Sequence, residues 1–373
     1  MNCRICGSDL QSVYDFGDQP LPNGFDRSDE RHPLHLGRCT VCKLYQLLDT
    51  IPPDTLFSGY VYRSGAGGMQ QKLFADLVKQ SSRFLRRGDV VVDIGCNDGA
   101  LLAEFAKLGV HTVGVEPYPT ADYKPNCSFS WDAHAAELIA HECGQAKIIT
   151  ATNAWAHIDD LHQAAKGISL LLARDGRFVI QVPWIRDLLN NNLYDTIYHE
   201  HLSYFGVKQL NILFHQHDLA VLHVDYLPTI HGGTIRCWIG RGEPDASVDY
   251  MKLMEKSQTS PEHFGDLVNA HIVTLWEVLD NDYWTVYGCS AKATMLLNIS
   301  GAAHLVTEAV DDTPEKQGKT LPGTKVKIGK HATSGKILLT AWNYADVIKE
   351  KLAKTGWHGT ICVPMPVPRI EYV

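Results

Sequence analysis

The chain lacks the features that would send it to a membrane or out of the cell. No apolar run approaches the roughly 20 residues that a spanning helix requires, and the opening "MNCRICGSDL" has no hydrophobic signal core. It also lacks an excess of positive charge. With 34 basic against 42 acidic residues the formal net charge is −8, which argues against broad nucleic-acid binding while leaving room for a local basic pocket. These absences lead us to expect a cytoplasmic protein with neither a membrane nor a nucleic acid as partner. Cysteines there are kept reduced, so the ten present need another explanation than disulfides. With 373 residues, 45% hydrophobic and 20% charged, the chain is an ordinary globular composition too long for one core.

Four of the cysteines come as two Cys-x-x-Cys pairs, Cys3 with Cys6 and Cys39 with Cys42. Four thiolates suit the tetrahedral preference of Zn2+, and a site closed by four protein ligands is structural. A redox dithiol is the alternative, but neither pair follows a strand at a helix start. The other six cysteines are single and read as small core residues. Between the pairs, "YDFGDQPLPNGFDRSDERHPLHLGRC" is rich in Pro, Gly and Asp and reads as turns and extended chain.

"DVVVDIGCNDGALLAEFAKLG", residues 89–109, reads as strand, glycine turn, helix. The turn has Asp93, Gly95, Asn97 and Gly99 in an Asp-x-Gly-x-x-x-Gly spacing, not the Gly-x-Gly-x-x-Gly of dinucleotide binders. Glu116 ends the next strand, where a carboxylate can hold two ribose hydroxyls. Further strands at "KIIT" and "RFVIQV" imply a parallel sheet with its ligand site at the strands' carboxyl ends, where Asn153 also falls. This pattern resembles the class I methyltransferases that use S-adenosylmethionine; a drifted nicotinamide-binding domain is the other reading.

"YWTVYGCSAKATMLLN" is again strand, Gly288 turn and helix, with Lys292 in the first turns, a ready anion site unless it is a solvated surface lysine. "HLVTEAVDD" and "KILLTAWNYADVIKEKL" extend this into a second α/β unit. "AVLHVDYLPTIHGGTIRCWIGR" reads as an antiparallel pair joined through His231-Gly232-Gly233, and residues 241–282 read as linking helices.

One further stretch, "IYHEHLSYFG" at 197–206, crowds Tyr198, His199, Glu200, His201 and Tyr204 together. Were the methyl of such a cofactor to go to carbon, a nucleophile would be needed that a C–H is not. A ketone beside that carbon lets a base remove the proton and an enolate attack the methyl. The base needs a pKa near neutrality, as histidine has, and the enolate oxygen needs donors such as Tyr, a second His or water. A carboxylate can orient the base or accept from a substrate hydroxyl. His157, in "NAWAHIDD", follows the strand at 147–151. If 199 and 201 lay on a strand they would share a face and could instead ligate a metal.

"CRICGS", "VVDIGCNDGALL", "NAWAHIDD", "IYHEHLSYF", "HGGTIR", "YGCSAKATMLLN", "LPGTKVKI" and "LLTAWNYAD" occur in an order that resembles the sugar C-methyltransferases acting on nucleotide-linked 4-keto-6-deoxyhexoses. The resemblance implies a zinc domain (1–55), a Rossmann-like cofactor domain (56–240) and a second α/β domain (241–373), with the sugar nucleotide, on dTDP or GDP, between the last two. It implies His201 as catalytic histidine, with Tyr198, Glu200 and His157 as companions. Tyr60 or Tyr62 of the "SGYVYRSGAGG" loop, His231 and Lys292 are expected at the substrate. Asp93, Gly95, Asn97, Gly99, Glu116 and Asn153 are expected at S-adenosylmethionine, and the four paired cysteines at zinc. An RNA-modifying methyltransferase and a non-catalytic cofactor-binding partner are the competing functions.

Overall fold

The computed structural model describes residues 2–27, 30–57, 59, 63–66, 68–120 and 123–373. Tyr60 and Tyr62 lie outside the described residues.

The N-terminal region holds three strands, β1 (Leu10–Pro20), β2 (Arg31–Cys39) and β3 (Tyr45–Leu47). The extended chain expected here is paired, as a long antiparallel hairpin running from Leu10 opposite Cys39 to Pro20 opposite Arg31. Its Pro and Gly residues conceal the alternation. Register shifts between Ser12 and Tyr14 and between Asp15 and Asp18 absorb the irregular residues. Gly37 is there for packing rather than turning, because a Cβ on it would strike the Leu48 side chain.

The middle of the chain contributes β4 (Val90–Ile94), β5 (His111–Val115), β6 (Ala146–Thr152), β7 (Leu172–Pro183), β8 (Ser203–Tyr204), β9 (Ala220–Leu227) and β10 (Thr234–Gly240). Six of these form a sheet in the order β5-β4-β6-β7-β10-β9. The first four are parallel, and β10 runs antiparallel to both β7 and β9. All five residues of β4 are buried, as expected for a strand covered on both faces. Val90, Val92 and Ile94 pack into the main core on one face. Val91 joins Phe74, Leu77, Leu101 and Phe105 on the other, where the helices Gly68–Ser81 and Ala100–Ala106 lie. Asp132 and Asp160 cap the helices Ala133–Cys143 and Leu161–Leu171 by accepting from Ala135 and Gln163 backbone N–H groups. These helices complete the main-core face.

The last unit has β11 (Trp284–Tyr287), β12 (Val306–Val310), β13 (Ile328–Gly329), β14 (Lys336–Leu339), β15 (Thr360–Val363) and β16 (Arg369–Tyr372). Their order is β13-β12-β11-β14-β15-β16, parallel except for the β15–β16 pair. The chain leaves β11 for β12 on one side and returns to β14 on the other. A crevice therefore opens at the carboxyl end of β11, beside Gly288 and the N-terminus of the helix Ala291–Ile299. The expected linking helices are Ala246–Met254 and Pro261–Leu279.

The sheets do not follow chain order. β8 leaves the middle sheet and pairs with β3, Tyr45 opposite Tyr204 and Gln46 opposite Ser203, extending the N-terminal sheet to β1-β2-β3-β8. Two backbone bonds tie the same seam, Leu47 N–H to the Leu202 carbonyl at 3.0 Å and Leu202 N–H to the Ala156 carbonyl at 2.8 Å. The Arg4 guanidinium donates to the carbonyls of both Leu47 and Leu202. The segment carrying His199, Glu200 and His201 is thus built onto the cysteine-bearing unit.

Candidate active site

The sulfur atoms of Cys3, Cys6, Cys39 and Cys42 all lie within 4.8 Å of one another. Cys3–Cys42 and Cys6–Cys39 approach to 3.4 Å. That is too long for a disulfide and close to the edge of a tetrahedron with metal–sulfur bonds of about 2.3 Å. Backbone N–H groups of Ile5, Val41 and Cys42 point at the Cys3 and Cys39 sulfurs. The donor set fits a closed Zn2+ site and not the dithiol alternative. Among the described residues no other cluster of His, Cys, Asp or Glu has metal-holding geometry. His199 and His201 do not sit on a strand but in a turn, and the His199 Nε2 donates to the His32 carbonyl of β2 at 3.2 Å. Burial pushes His199 down to about 4, so the ring is neutral at pH 7 and its bonded Nε2 anchors the turn to β2.

The glycine turn lies beyond β4. Gly95 has φ +70°, and a Cβ there would meet that of Ala154 at 2.5 Å, so only glycine lets the two strand ends approach. Asn97 and Asn153 adopt φ of 50° and 55°, the left-handed region that asparagine tolerates. Gly99 caps the helix Ala100–Ala106. Glu116 folds back over this turn, accepting from the Asn97 N–H at 3.0 Å and the Tyr118 N–H at 3.0 Å. Burial raises its pKa. Each carboxylate oxygen keeps further lone pairs for a ligand. The Asn153 Oδ1 is buried without a partner, as a group that awaits a donor would be. Asp93 is bonded sideways, accepting from Thr150 Oγ1 at 2.6 Å, and burial pushes its carboxyl up to about 7.

The crevice is closed from outside by the short helix Pro53–Phe57. Phe57 stacks on Tyr118 with ring centroids 5.1 Å apart, and the Tyr118 hydroxyl donates to Asp54 at 2.8 Å. Phe57 also meets the His157 ring edge-on at 5.9 Å.

His201 is 8% exposed. Its Nδ1 is 3.0 Å from the Thr196 carbonyl. A carbonyl only accepts, so Nδ1 carries the hydrogen and the lone pair of the neutral ring is on Nε2. Burial first, then the neighbouring His157, hold its pKa well below the usual imidazole value. The ring packs against Tyr198 at 4.0 Å and His157 at 5.1 Å between centroids. Burial lowers the His157 pKa too, and its Nδ1 has no hydrogen-bond partner. Because a backbone carbonyl orients His201, the Glu200 carboxylate is not the orienting group. Its Oε1 instead accepts from Asn23 Nδ2 at 2.7 Å.

Lys292 is no solvated surface lysine. Its Nζ is buried without a hydrogen-bond partner and sits 4.5 Å from the centre of the Trp342 ring. The Trp342 indole donates to Asp195 Oδ2 at 2.7 Å. Burial lowers the Lys292 pKa while the Asp195 carboxylate holds it up. The helix Ala291–Ile299 packs against Tyr194–Thr196, so Lys292 and the carbonyl that orients His201 belong to one contact. His231, at φ 53°, is pushed down to about 4 by burial and by Lys292.

Family models match the chain in three consecutive pieces. A zinc binding domain covers residues 3–57, a methyltransferase domain 67–224, and a C-methyltransferase C-terminal domain 229–366. The chain is 35% identical to "C-methyltransferase NovU" of Streptomyces niveus, over 99% of this chain and 96% of that protein. The chain belongs to the C-methyltransferase family. It is an S-adenosylmethionine-dependent C-methyltransferase with a structural zinc. Among solved structures, a methyltransferase from Anabaena variabilis ATCC 29413 is 14% identical, with 51% of this chain and 91% of that one covered and a TM-score of 0.39. The Burkholderia thailandensis 1,6-didemethyltoxoflavin-N1-methyltransferase is 17% identical, with 54% and 96% covered and a TM-score of 0.35.

Sequence reasoning missed several residues of this methyltransferase's site. Thr196 acts through its carbonyl, which has no sequence signature. Asp195 and Trp342 meet across 147 positions. Asn23 lies 177 positions from Glu200, inside a segment read as turns and extended chain. The "LPNG" spelling marks a turn but not what it touches.

Proposed function

We propose that this enzyme transfers a methyl group from S-adenosylmethionine to C3 of a nucleotide-linked 4-keto-6-deoxyhexose, by way of an enolate. The observation that carries the reading is the His201 tautomer. A neutral imidazole, held by its Nδ1–H on a backbone carbonyl, carries its lone pair on Nε2. That arrangement is a general base that works at neutral pH. Transfer to oxygen would need alignment more than a base, and the similar Streptomyces niveus protein is by its name a C-methyltransferase.

In this reading residues 1–55 carry zinc on Cys3, Cys6, Cys39 and Cys42, residues 56–240 the cofactor, and residues 241–373 the nucleotide. Glu116 accepts from the ribose hydroxyls, Asn153 fills its empty Oδ1, and Gly95, Asn97 and Gly99 present backbone to the amino-acid end; Asp93 supports the turn. S-adenosylmethionine supplies the electrophilic methyl. His201 removes the C3 proton, and the electrons of that C–H bond pass to the C4 oxygen. In this reading Tyr198 and His157 donate to that oxygen. The enolate carbon then attacks the methyl, the sulfonium S–CH3 bond breaks with its electron pair left on the sulfur of S-adenosylhomocysteine, and the ketone re-forms while His201 keeps the proton. Lys292, an unpaired buried cation at a helix N-terminus, balances the negative charge of the nucleotide sugar, with His231 beside it. Tyr60 or Tyr62 completes the sugar pocket. A cytoplasmic setting belongs to this reading, since a four-thiolate site needs reduced cysteines. Among the described residues no helix is long and apolar enough to cross a membrane.

Incubating the enzyme with methyl-labelled cofactor and a panel of dTDP- and GDP-linked 4-keto-6-deoxyhexoses, with and without a C2 hydroxyl, tests the assignment. Mass analysis should find one added methyl on carbon in at least one member. Label that goes only to 4-hydroxy sugars, or to none, overturns it. Separately, Glu116→Ala should weaken cofactor binding by about 1–3 kcal/mol, the usual cost of leaving buried polar groups unpaired. Calorimetry with an unchanged affinity would remove Glu116 from the ribose.

A further inference from the structure

Asn23 sits at the tip of a tight turn in the zinc-bearing unit. The Gly24 N–H donates to the Leu21 carbonyl at 3.0 Å, with Pro22 and Asn23 at the central positions. Leu21 is buried against Ile51 and Leu56, which fixes the turn from below. The Pro22 carbonyl accepts from Thr294 Oγ1 at 3.1 Å, two residues beyond Lys292. Asn23 Nδ2 donates to Glu200 Oε1 at 2.7 Å, and Glu200 is 3% exposed. One four-residue turn therefore touches the catalytic loop and the helix that carries the unpaired lysine.

Glu200 adjoins His201 in sequence but does not orient it, because the Thr196 carbonyl holds that ring. A buried carboxylate beside the base has more acceptor positions than the one Asn23 fills, and one of them can take a hydroxyl of the substrate. Its direction then decides where the sugar sits relative to Nε2.

We propose that Asn23 is a positioning residue of the methyl-transfer site: its side-chain amide sets the Glu200 carboxylate to receive a sugar hydroxyl, so the zinc-bearing unit supplies part of substrate recognition. This rests on the sugar reading given above, and it goes beyond a merely structural duty for the N-terminal unit. A neutral amide is the suitable partner. It donates to one carboxylate oxygen without adding charge, whereas a cation there would compete with the incoming hydroxyl.

Three measurements test it. Asn23→Ala should cut kcat/KM for the keto sugar by roughly 10- to 100-fold, the scale of a bond to a charged group. Zinc content and S-adenosylmethionine affinity should stay at wild-type values. Asn23→Asp places a second carboxylate against Glu200, and such a pair holds a shared proton only at lower pH. The ratio of its kcat/KM to wild type should therefore climb toward one as pH falls from about 9 to about 6, a rise from carboxylate pairing, because the His201 titration is common to both enzymes and divides out of the ratio. The Asn23→Ala ratio should stay flat. The third arm needs no turnover. The carboxyl-carbon NMR signal of Glu200, assigned by its loss in Glu200→Gln, should titrate at higher pH in Asn23→Ala than in wild type, since a donor to the ionised form has gone. Wild-type kcat/KM in Asn23→Ala, parallel pH profiles for the two variants, or an unmoved Glu200 titration each overturns the proposal. If no keto sugar is methylated by wild type, the functional reading fails by itself, and the NMR arm decides the coupling of Asn23 to Glu200.

Discussion

Replacing His201 with Asn or Ala should lower kcat by about 10²–10⁴-fold, the usual contribution of a positioned general base, with both ligands still bound. The interaction lost is one made during proton removal, so kcat and kcat/KM should fall together. The decisive reading is isotope exchange. Wild-type enzyme with the keto sugar and S-adenosylhomocysteine in D2O should exchange the C3 hydrogen without methylating it. The His201 variant should not. Exchange at the wild-type rate would transfer the role to His157 or Tyr198. The pH profile carries the same assignment. Burial and His157 hold the His201 pKa below its usual value, so the base is already unprotonated at pH 7. Its activity is lost only as pH falls through that lowered pKa, which puts the acid limb below about 6.5. An acid limb above pH 7 contradicts this.

Removing the zinc should have an effect of similar size at a distance. Structural zinc in small peptides contributes on the order of 10–16 kcal/mol to folding, more than a unit of about 55 residues can replace from its core. The catalytic loop hangs on that unit through the β3–β8 pairing, the Leu47–Leu202 bond, Arg4 and the His199–His32 bond. Gln209 adds a bond to the Cys42 carbonyl itself. Cys39→Ser should therefore lose the metal and lower kcat/KM by more than about 100-fold. The cofactor crevice, built on β4, β5 and β6, should keep its affinity. Hydrogen exchange should rise across 198–204 and stay low across 90–94. A zinc-free variant that turns over normally would show that the loop stands without the metal unit.

The elements legible in the sequence share a physical cause: their signal is local. "VVVDIG" is a buried parallel strand because every residue packs, and it ends in glycine because the strand ends crowd there. The two Cys-x-x-Cys pairs are legible because four soft ligands in two short knuckles leave few other chemistries. "HEH" stood out because three ionisable side chains in a row have no use in a core. The β1–β2 hairpin was not legible, because bulges and a packing glycine broke its period of two. Its Pro and Asp residues read as turns although the strand pairs through them.

The residues of the proposed site are legible in the sequence; the parts proposed for them come from tertiary contact. Local pattern established the order of the units, the metal, the cofactor crevice and the cluster around His201. It could not separate a base from a ligand, nor an orienting carboxylate from a recognising one. That distinction rests on which atom faces His201 Nδ1, and the answer is a backbone carbonyl, identical in every residue and so invisible in any sequence. Lys292 was equally undecided between surface and pocket until Trp342 and Asp195 closed around it from another strand end and another loop. The role proposed for Asn23 depends on a strand next to the His201 turn pairing into the sheet of the zinc unit, which brings together side chains 177 positions apart. Hydrogen bonds act over about 3 Å and are blind to chain separation, so what each polar group does is settled where the chain folds back and not along it.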